Sequence, residues 1–335
     1  MKVSIRDLAA ACNLSVSAVS KALNNYPDIS KETRQLVHKT AQEMGYFPNA
    51  SARTLKTNRS ENLGVVYSVT SASGMTHPFF SSLLESFKTE AEACGYDLTF
   101  INHNIHSGMT YLEHCRYRNV DGVIVVCADF DSQEVRDLLS SGIPAVSIDY
   151  SSKGASSVLS ENENGMYTLT KHAISLGHKT IAYLHGEECS VHSQRMKGFI
   201  KALTEAGIEP KDEYLIPSAY DNPEMAARSF LKVMALDDRP TCILMSDDTA
   251  AITAIQRAKD MHLSVPGDIS IGGYDGVRLN LMFSPVLTTI KQDTEAIGKT
   301  AAQELIRLIE TPTAPKKHIT VPGILITGES IKKID

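Results

Sequence analysis

From Asn62 onward, short runs of β-branched and aliphatic residues alternate with longer stretches of helical periodicity, and this alternation restricts the fold more than any other feature. The runs NLGVVYSV, YDLTFIN, VDGVIVVC and IPAVSID are too continuously apolar for strands with one wet face, so they read as buried strands of one parallel sheet. FFSSLLESFKTEAEACG and SQEVRDLLSSG lie between them as covering helices. After residue 161 the pattern repeats in KTIAYLH, TCILMS and DISIGGYD. The expected body is therefore two doubly wound α/β lobes, each a parallel sheet, with ligand bound beyond the carboxyl ends of the strands in the cleft between them. A helix AIGKTAAQELIRLIE after Gln292-Asp293 and a closing pair of strands around HITVPGILITGES complete it.

The first sixty residues follow a different pattern. Ile5, Leu8, Ala9 and Cys12 fall at i, i+3, i+4 and i+7, giving a short helix with one apolar face. After a break at Asn13, Ser15 is an N-cap for a second helix whose expected buried face is Val16, Val19, Ala22 and Leu23, with Ser17, Ala18 and Lys21 pointing outward. A third helix is expected from a cap at Ser30 to Met44, burying Leu36, Val37, Thr40 or Ala41, and Met44, and ended by Gly45. Two short helices joined by a tight turn, with a third completing the core, make an all-α helix-turn-helix unit. Charge follows the same division. Residues 1–60 hold nine Lys and Arg against four acids, a net +5, whereas residues 61–335 hold 24 against 35, a net −11. A basic head on an acidic body suits a phosphate-binding module carried by a domain that does not touch nucleic acid; a solvated basic face is the other reading of the same numbers.

Several function classes find no support. The six cysteines (Cys12, Cys94, Cys115, Cys127, Cys189, Cys242) are scattered with no CxxC or HxxxH spacing, so neither a metal site nor a disulfide framework is expected, and they read as reduced, half-buried thiols. Arg6, Asp7 and Asn13 interrupt the stretch where a secretory signal needs unbroken apolar residues, and no run is long enough to span a bilayer, so a cytoplasmic, membrane-free protein is expected. His103, His106, His114, His172, His178 and His185 fall on separate elements. No Ser-His-Asp spacing and no phosphate-cradling glycine loop is present, so no enzyme, cofactor or metal is expected.

The string IRDLAAACNLSVSAVSKALNNYPDISKETRQLVHKTAQEMGYFPNASARTLKTNRS resembles, almost position for position, the headpiece of the LacI family of bacterial transcriptional regulators. The resemblance implies that Val16, Ser17 and Lys21 face base edges in the major groove, Lys21 standing where arginine is usual, and that Ser4, Ser15, Ser20 and Asn24 contact phosphates. Residues 49–58, NASARTLKTN, are similar to the family's hinge helix. A polar segment this short with one leucine is not a stable helix in water and is expected to fold only against DNA and its dimer mate. By resemblance, Leu55 is then a minor-groove wedge, and Arg53 and Lys56 hold nearby backbone or groove. The expected organisation is a headpiece over 1–48, a hinge and linker over 49–60, and a two-lobed body, similar to a periplasmic binding protein, over 61–335.

The body resembles the same family more loosely. His77-Pro78-Phe79-Phe80 is similar to an Asn-Pro-aromatic-Phe turn on the ligand face, with His77 in place of asparagine. The resemblance implies an effector site of Phe79, Phe80, Asp149, Arg195, Tyr220, Asp247 and Asp275. An arginine, aspartates and aromatic faces suit the adjacent hydroxyls and C–H faces of a sugar; the same set would also hold a nucleobase or a phosphorylated sugar, and Arg195 with Asp275 would also serve as a plain salt bridge between lobes. Thr327-Gly328-Glu329-Ser330 lacks an arginine usual in that terminal motif. The expected function is an effector-controlled repressor that binds a pseudo-palindromic operator as a homodimer, with no heptad signal for higher assembly. The alternative is a periplasmic-type sugar-binding protein, which shares the body and lacks the head.

Overall fold

The computed structural model describes residues 3–47, 59–68, 74–102 and 108–334. Contacts divide the chain into two compact units, Met1–Glu61 and Asn62–Asp335. Arg53, Leu55 and Lys56 lie outside the described residues.

In the head, α1 (Ile5–Ala11), α2 (Val16–Leu23) and α3 (Lys31–Met44) begin at serines that cap them. Ser4 and Asp7 form a reciprocal capping box, Ser15 Oγ accepts from the Ala18 amide at 3.1 Å, and Ser30 Oγ accepts from the Thr33 amide at 3.1 Å. Each cap satisfies an amide that the helix itself leaves without a partner. Gly45 ends α3 at φ 64°, a conformation a side chain would disfavour. Leu8, Ala9, Cys12, Val19, Ala22, Val37 and Ala41 form the core. Two expected core residues do not belong to it: Val16 is 42% exposed, and Leu36 is exposed as well. In helices this short, three or four positions saturate the shared interior, and the apolar residues beyond that arc face out.

The body carries, among the described residues, two six-stranded sheets. The first holds β1 (Asn62–Tyr67), β2 (Asp97–Ile101), β3 (Gly122–Val126), β4 (Ala145–Ile148), β5 (Ser156–Ser160) and β11 (His318–Val321), in the order β11-β5-β4-β3-β1-β2 and parallel throughout. The second holds β6 (Ile181–His185), β7 (Leu215–Pro217), β8 (Cys242–Met245), β9 (Ser270–Asp275), β10 (Thr288–Lys291) and β12 (Ile324–Ile326), in the order β12-β10-β9-β8-β6-β7, with β12 antiparallel to β10. The closing strands, expected as a pair, do not pair with each other. The chain crosses between lobes at Pro322-Gly323, so β11 extends one sheet and β12 the other.

Two further crossings bracket the site. After β5 the chain enters the second lobe at Asn162 as α7 (Asn162–Ser175), and after β10 it returns to the first as α11 (Thr294–Glu310). Ile297, Ala301 and Leu305 of α11 join Leu63, Leu83 and Phe87 in the first core, whereas Met166 and Leu169 of α7 join Tyr183 and Phe199 in the second. Strand β5 has no counterpart in the expected strands, because SSVLS carries a weak apolar signal. Its serines are buried but bonded: Ser156 Oγ donates to Glu304 Oε1 at 2.6 Å, and Ser157 Oγ lies 2.7 Å from His318 Nδ1. Of the cysteines, Cys12, Cys115 and Cys242 are buried, Cys127 is half-buried, and Cys94 and Cys189 are exposed, so the uniform half-buried reading does not hold. Among the described residues, no helix is long and apolar enough to cross a membrane.

Candidate functional site

The carboxyl ends of the strands converge on Arg195, carried by α8 (Ser190–Glu205) and only 3% exposed. Its seat depends on Gly198, one turn along: a Cβ there would lie 2.0 Å from the Glu163 carbonyl, so only glycine lets α8 come this close to α7. That approach brings Arg195 Nε within 2.8 Å of Asn162 Oδ1. A second guanidinium nitrogen donates to the Ser246 carbonyl at 2.8 Å, the third lies 3.7 Å from Asp275 Oδ1, and the guanidinium sits 3.6 Å from the centroid of the Tyr274 ring. Two of its nitrogens are thus hydrogen-bonded to protein, while the third approaches only Asp275 and makes no hydrogen bond.

Asp275 ends β9 at φ 107°, a strained conformation for a residue with a side chain, and Gln292 Nε2 donates to its Oδ1 at 2.7 Å. Burial pushes its carboxyl well above the usual carboxylate range, with the Arg195 charge pulling the other way. Asp149, just past β4 at φ 54°, accepts from the Ser160 amide at 2.6 Å and is likewise pushed up by burial, again opposed by that amide and by Arg195. The Arg195 charge thus acts on a carboxylate of the opposite lobe. Tyr220 packs its ring on Gly186, where a Cβ would sit 2.2 Å from it, and lies 5.8 Å from the Arg195 guanidinium.

The other expected site residues are placed differently. Asp247 caps α10 (Asp248–Asp260) and spends both oxygens on protein donors: the Ala250 amide at 2.7 Å, the Asp221 amide at 2.9 Å and Ser246 Oγ at 3.1 Å. Phe79, near the start of α4 (Pro78–Ala93), is buried in the first core. Phe80 is half-buried and meets Tyr67 edge-on at 5.9 Å. Asn162, Gln292, Tyr274 and Asp221 take part in the cluster although the sequence did not single them out. Their sole signal is position, at a lobe crossing or a strand end. Among the described residues, no group of three His, Cys, Asp or Glu side chains is placed to hold a metal ion.

On the head, Ser17 is exposed at the start of α2 beside Val16. Lys21 Nζ is paired with Asp28 at 2.5 Å, and Asn24 Nδ2 donates to the Ser20 carbonyl at 2.7 Å. Ser4 and Ser15 spend their side chains as helix caps.

Residues 4–49 match the family described as "Bacterial regulatory proteins, lacI family", and residues 170–331 match the "Periplasmic binding protein-like domain". A protein of Mannheimia succiniciproducens named HTH-type transcriptional repressor PurR is 32% identical over 337 residues, covering 98% of this chain and 99% of its own. The chain belongs to the lacI family of bacterial regulatory proteins. It is a transcriptional repressor of the LacI/PurR type. A second relative of that name, from Erwinia tasmaniensis, is 33% identical over 98% of this chain and 96% of its own. In fold, this regulator is similar to a lac repressor dimer bound to operator and the anti-inducer ONPF, with a TM-score of 0.85 at 24% identity over 99% of this chain and 100% of that one. A LacI-family regulator of Enterococcus faecium with bound ribose gives a TM-score of 0.71 at 26% identity over 82% of this chain and 100% of that one.

Proposed function

We propose that this regulator binds a pseudo-palindromic operator in the cytoplasm as a homodimer and releases it when a sugar occupies the cleft between the lobes. For DNA reading, the observation that carries the proposal is the exposure of Val16 and Ser17 on the first turn of α2. An exposed valine beside a free hydroxyl offers a methyl-sized apolar contact and a hydrogen bond, which is what a thymine edge and its neighbour present in the major groove. Ser4, Ser15, Ser20, Lys21 and Asn24 would add phosphate or base contacts, and the +5 head supplies the attraction. Arg53, Leu55 and Lys56 complete the operator surface in this reading.

A sugar is favoured for the cleft because Asp149, Asp275 and Gln292 present acceptors beside an Arg195 nitrogen that makes no hydrogen bond to protein, and the similar regulator from Enterococcus faecium holds ribose. Phe79, Phe80, Tyr220 and Asp247 would shape the remaining walls. The ligand can move operator affinity only by binding the open and closed arrangements unequally, so lobe closure is the switch.

Full-length protein titrated with random-sequence palindrome libraries is expected to enrich one half-site pair with affinity that falls steeply as salt rises. No enrichment at any salt concentration would refute the operator reading. Leu55→Ala is expected to weaken the selected operator about tenfold or more, because the unstacking wedge is gone. An unchanged titration would remove Leu55 from the interface. A thermal-shift panel of sugars and nucleobases identifies the ligand class, and stabilisation by nucleobases alone would overturn the sugar.

A further inference from the structure

The first sixty residues carry four acids, and an acid costs affinity wherever it approaches a phosphate. Asp7 belongs to the capping box of α1, Glu32 lies in the first turn of α3, and Glu43 pairs with Lys39 at 3.8 Å along the same helix. Asp28 is placed differently. It stands on the connection between α2 and α3, and its Oδ2 lies 2.5 Å from Nζ of Lys21 near the end of α2.

The connection that carries Asp28 is tied down on both sides. The Lys21 carbonyl accepts from the Tyr26 amide at 3.1 Å, and the Tyr26 carbonyl accepts from the Ile29 amide at 3.3 Å and from a guanidinium nitrogen of Arg34 on α3 at 3.0 Å. Ile29 packs against the head core. The hydrogen bond between Lys21 and Asp28 raises the ammonium and lowers the carboxyl from their ordinary values, so both are charged at neutral pH. Their side chains are 41% and 52% exposed, so a base edge can reach both. An ion pair this open adds only about 0–1 kcal/mol to folding, which makes it a poor stabilising device.

Toward DNA the pair presents a donor and an acceptor one hydrogen bond apart. A G·C pair shows the matching edge in the major groove: guanine O6 and N7 accept, and cytosine N4, itself bonded to O6, donates. With adenine under Lys21 the order reverses, since adenine N6 points a donor at the ammonium and thymine O4 points an acceptor at the carboxylate. Lysine by itself would tolerate that adenine through N7. With thymine under Lys21 the order is kept, but a methyl group replaces the N7 acceptor.

We infer that Asp28 is a specificity-determining residue of the operator surface: with Lys21 it reads one G·C pair in each half-site as a unit, and it excludes adenine where Lys21 takes guanine. The inference rests on the operator reading above and deepens it, since a tethered lysine is aimed at one base pair and is held back from the phosphates on either side.

The test is selection from a random-sequence palindrome library by the full chain. The wild type is expected to enrich guanine at one position of each half-site. Asp28→Asn is expected to lose about tenfold or more of the guanine-over-adenine preference there, because an amide donates as readily as it accepts, while other positions keep their preferences. Glu43→Gln removes the same charge from another exposed pair and should raise affinity for all sequences alike, with base preferences unchanged. Lys21→Ala combined with Asp28→Asn should lose little more guanine preference than Lys21→Ala alone, the mark of two residues acting together. An Asp28→Asn variant with wild-type preference at every position would overturn the inference, as would one whose loss is spread evenly over all positions. A wild type that enriches no palindrome would sink the operator reading itself, and this inference with it.

Discussion

Replacing Leu281 and Met282 together by aspartate is expected to turn the regulator into a monomer and to cut operator affinity about a thousandfold. Leu281 is 75% exposed and Met282 80% exposed, on a short 3₁₀ turn, Arg278–Met282, that also exposes Leu279 and runs into exposed Phe283. A contiguous run of large apolar side chains in water marks a contact surface. Leu279 also lines a groove of about 790 Å³ with Pro78, Ser82, Ser86 and Thr89 of α4 and with Lys291 and Asp293, so the turn and the outer face of α4 lie on one side of the body. A second copy related by a twofold axis would bring the same surface to both partners. Two aspartates in its centre would each be desolvated without a counter-charge. The operator consequence follows because one head makes too few contacts for tight specific binding, and specific complexes exceed non-specific ones by about 10³ or more. Sedimentation velocity with operator titration checks both steps. A dimer that persists at micromolar protein would clear this surface of the role, and a monomer with undiminished operator affinity would refute the twofold logic.

Arg195→Ala is expected to destabilise the body by about 3–5 kcal/mol, the cost typical of breaking a buried ion pair from one side. The guanidinium bonds Asn162 and the Ser246 carbonyl and lies over Tyr274, and its loss leaves the Asp275 carboxylate facing only Gln292. For a body of this size the melting temperature should fall by roughly 10 °C. Effector response is expected to disappear as well, but the alanine variant confounds loss of ligand contact with loss of structure. The double variant Arg195→Ala with Asp275→Asn separates them, because removing the stranded charge recovers part of the stability. Equal melting temperatures for wild type and Arg195→Ala would show that the pair has no structural weight. The sequence suggested Arg195 as a ligand grip or an interlobe bridge. Arg195 and Asp275 both belong to the second lobe, so their pair is no bridge between lobes, and the guanidinium orders Asn162 and Tyr274 beside it.

Much of the head was legible because its signals are local. Serine caps three residues ahead of a free amide, and a glycine where the backbone turns left-handed, fix where each helix starts and stops within a few residues of chain. The body strands were legible where aliphatic runs announce burial on both faces, as in GVIVV, and were missed in SSVLS, whose serines find their partners in Glu304 and His318 far along the chain.

By itself, the sequence determined the two kinds of structure in this chain, their order and their charge, since helix caps, strand composition and net charge depend on neighbouring residues alone. The tertiary structure alone decided that Leu36 faces out, that β11 and β12 part company into different sheets, and that Asp247 spends both oxygens on protein donors. Each of those outcomes depends on which of several chemically suitable groups lies within about 3 Å of another, and such proximity between residues distant in the chain exists only once the chain has crossed between its lobes.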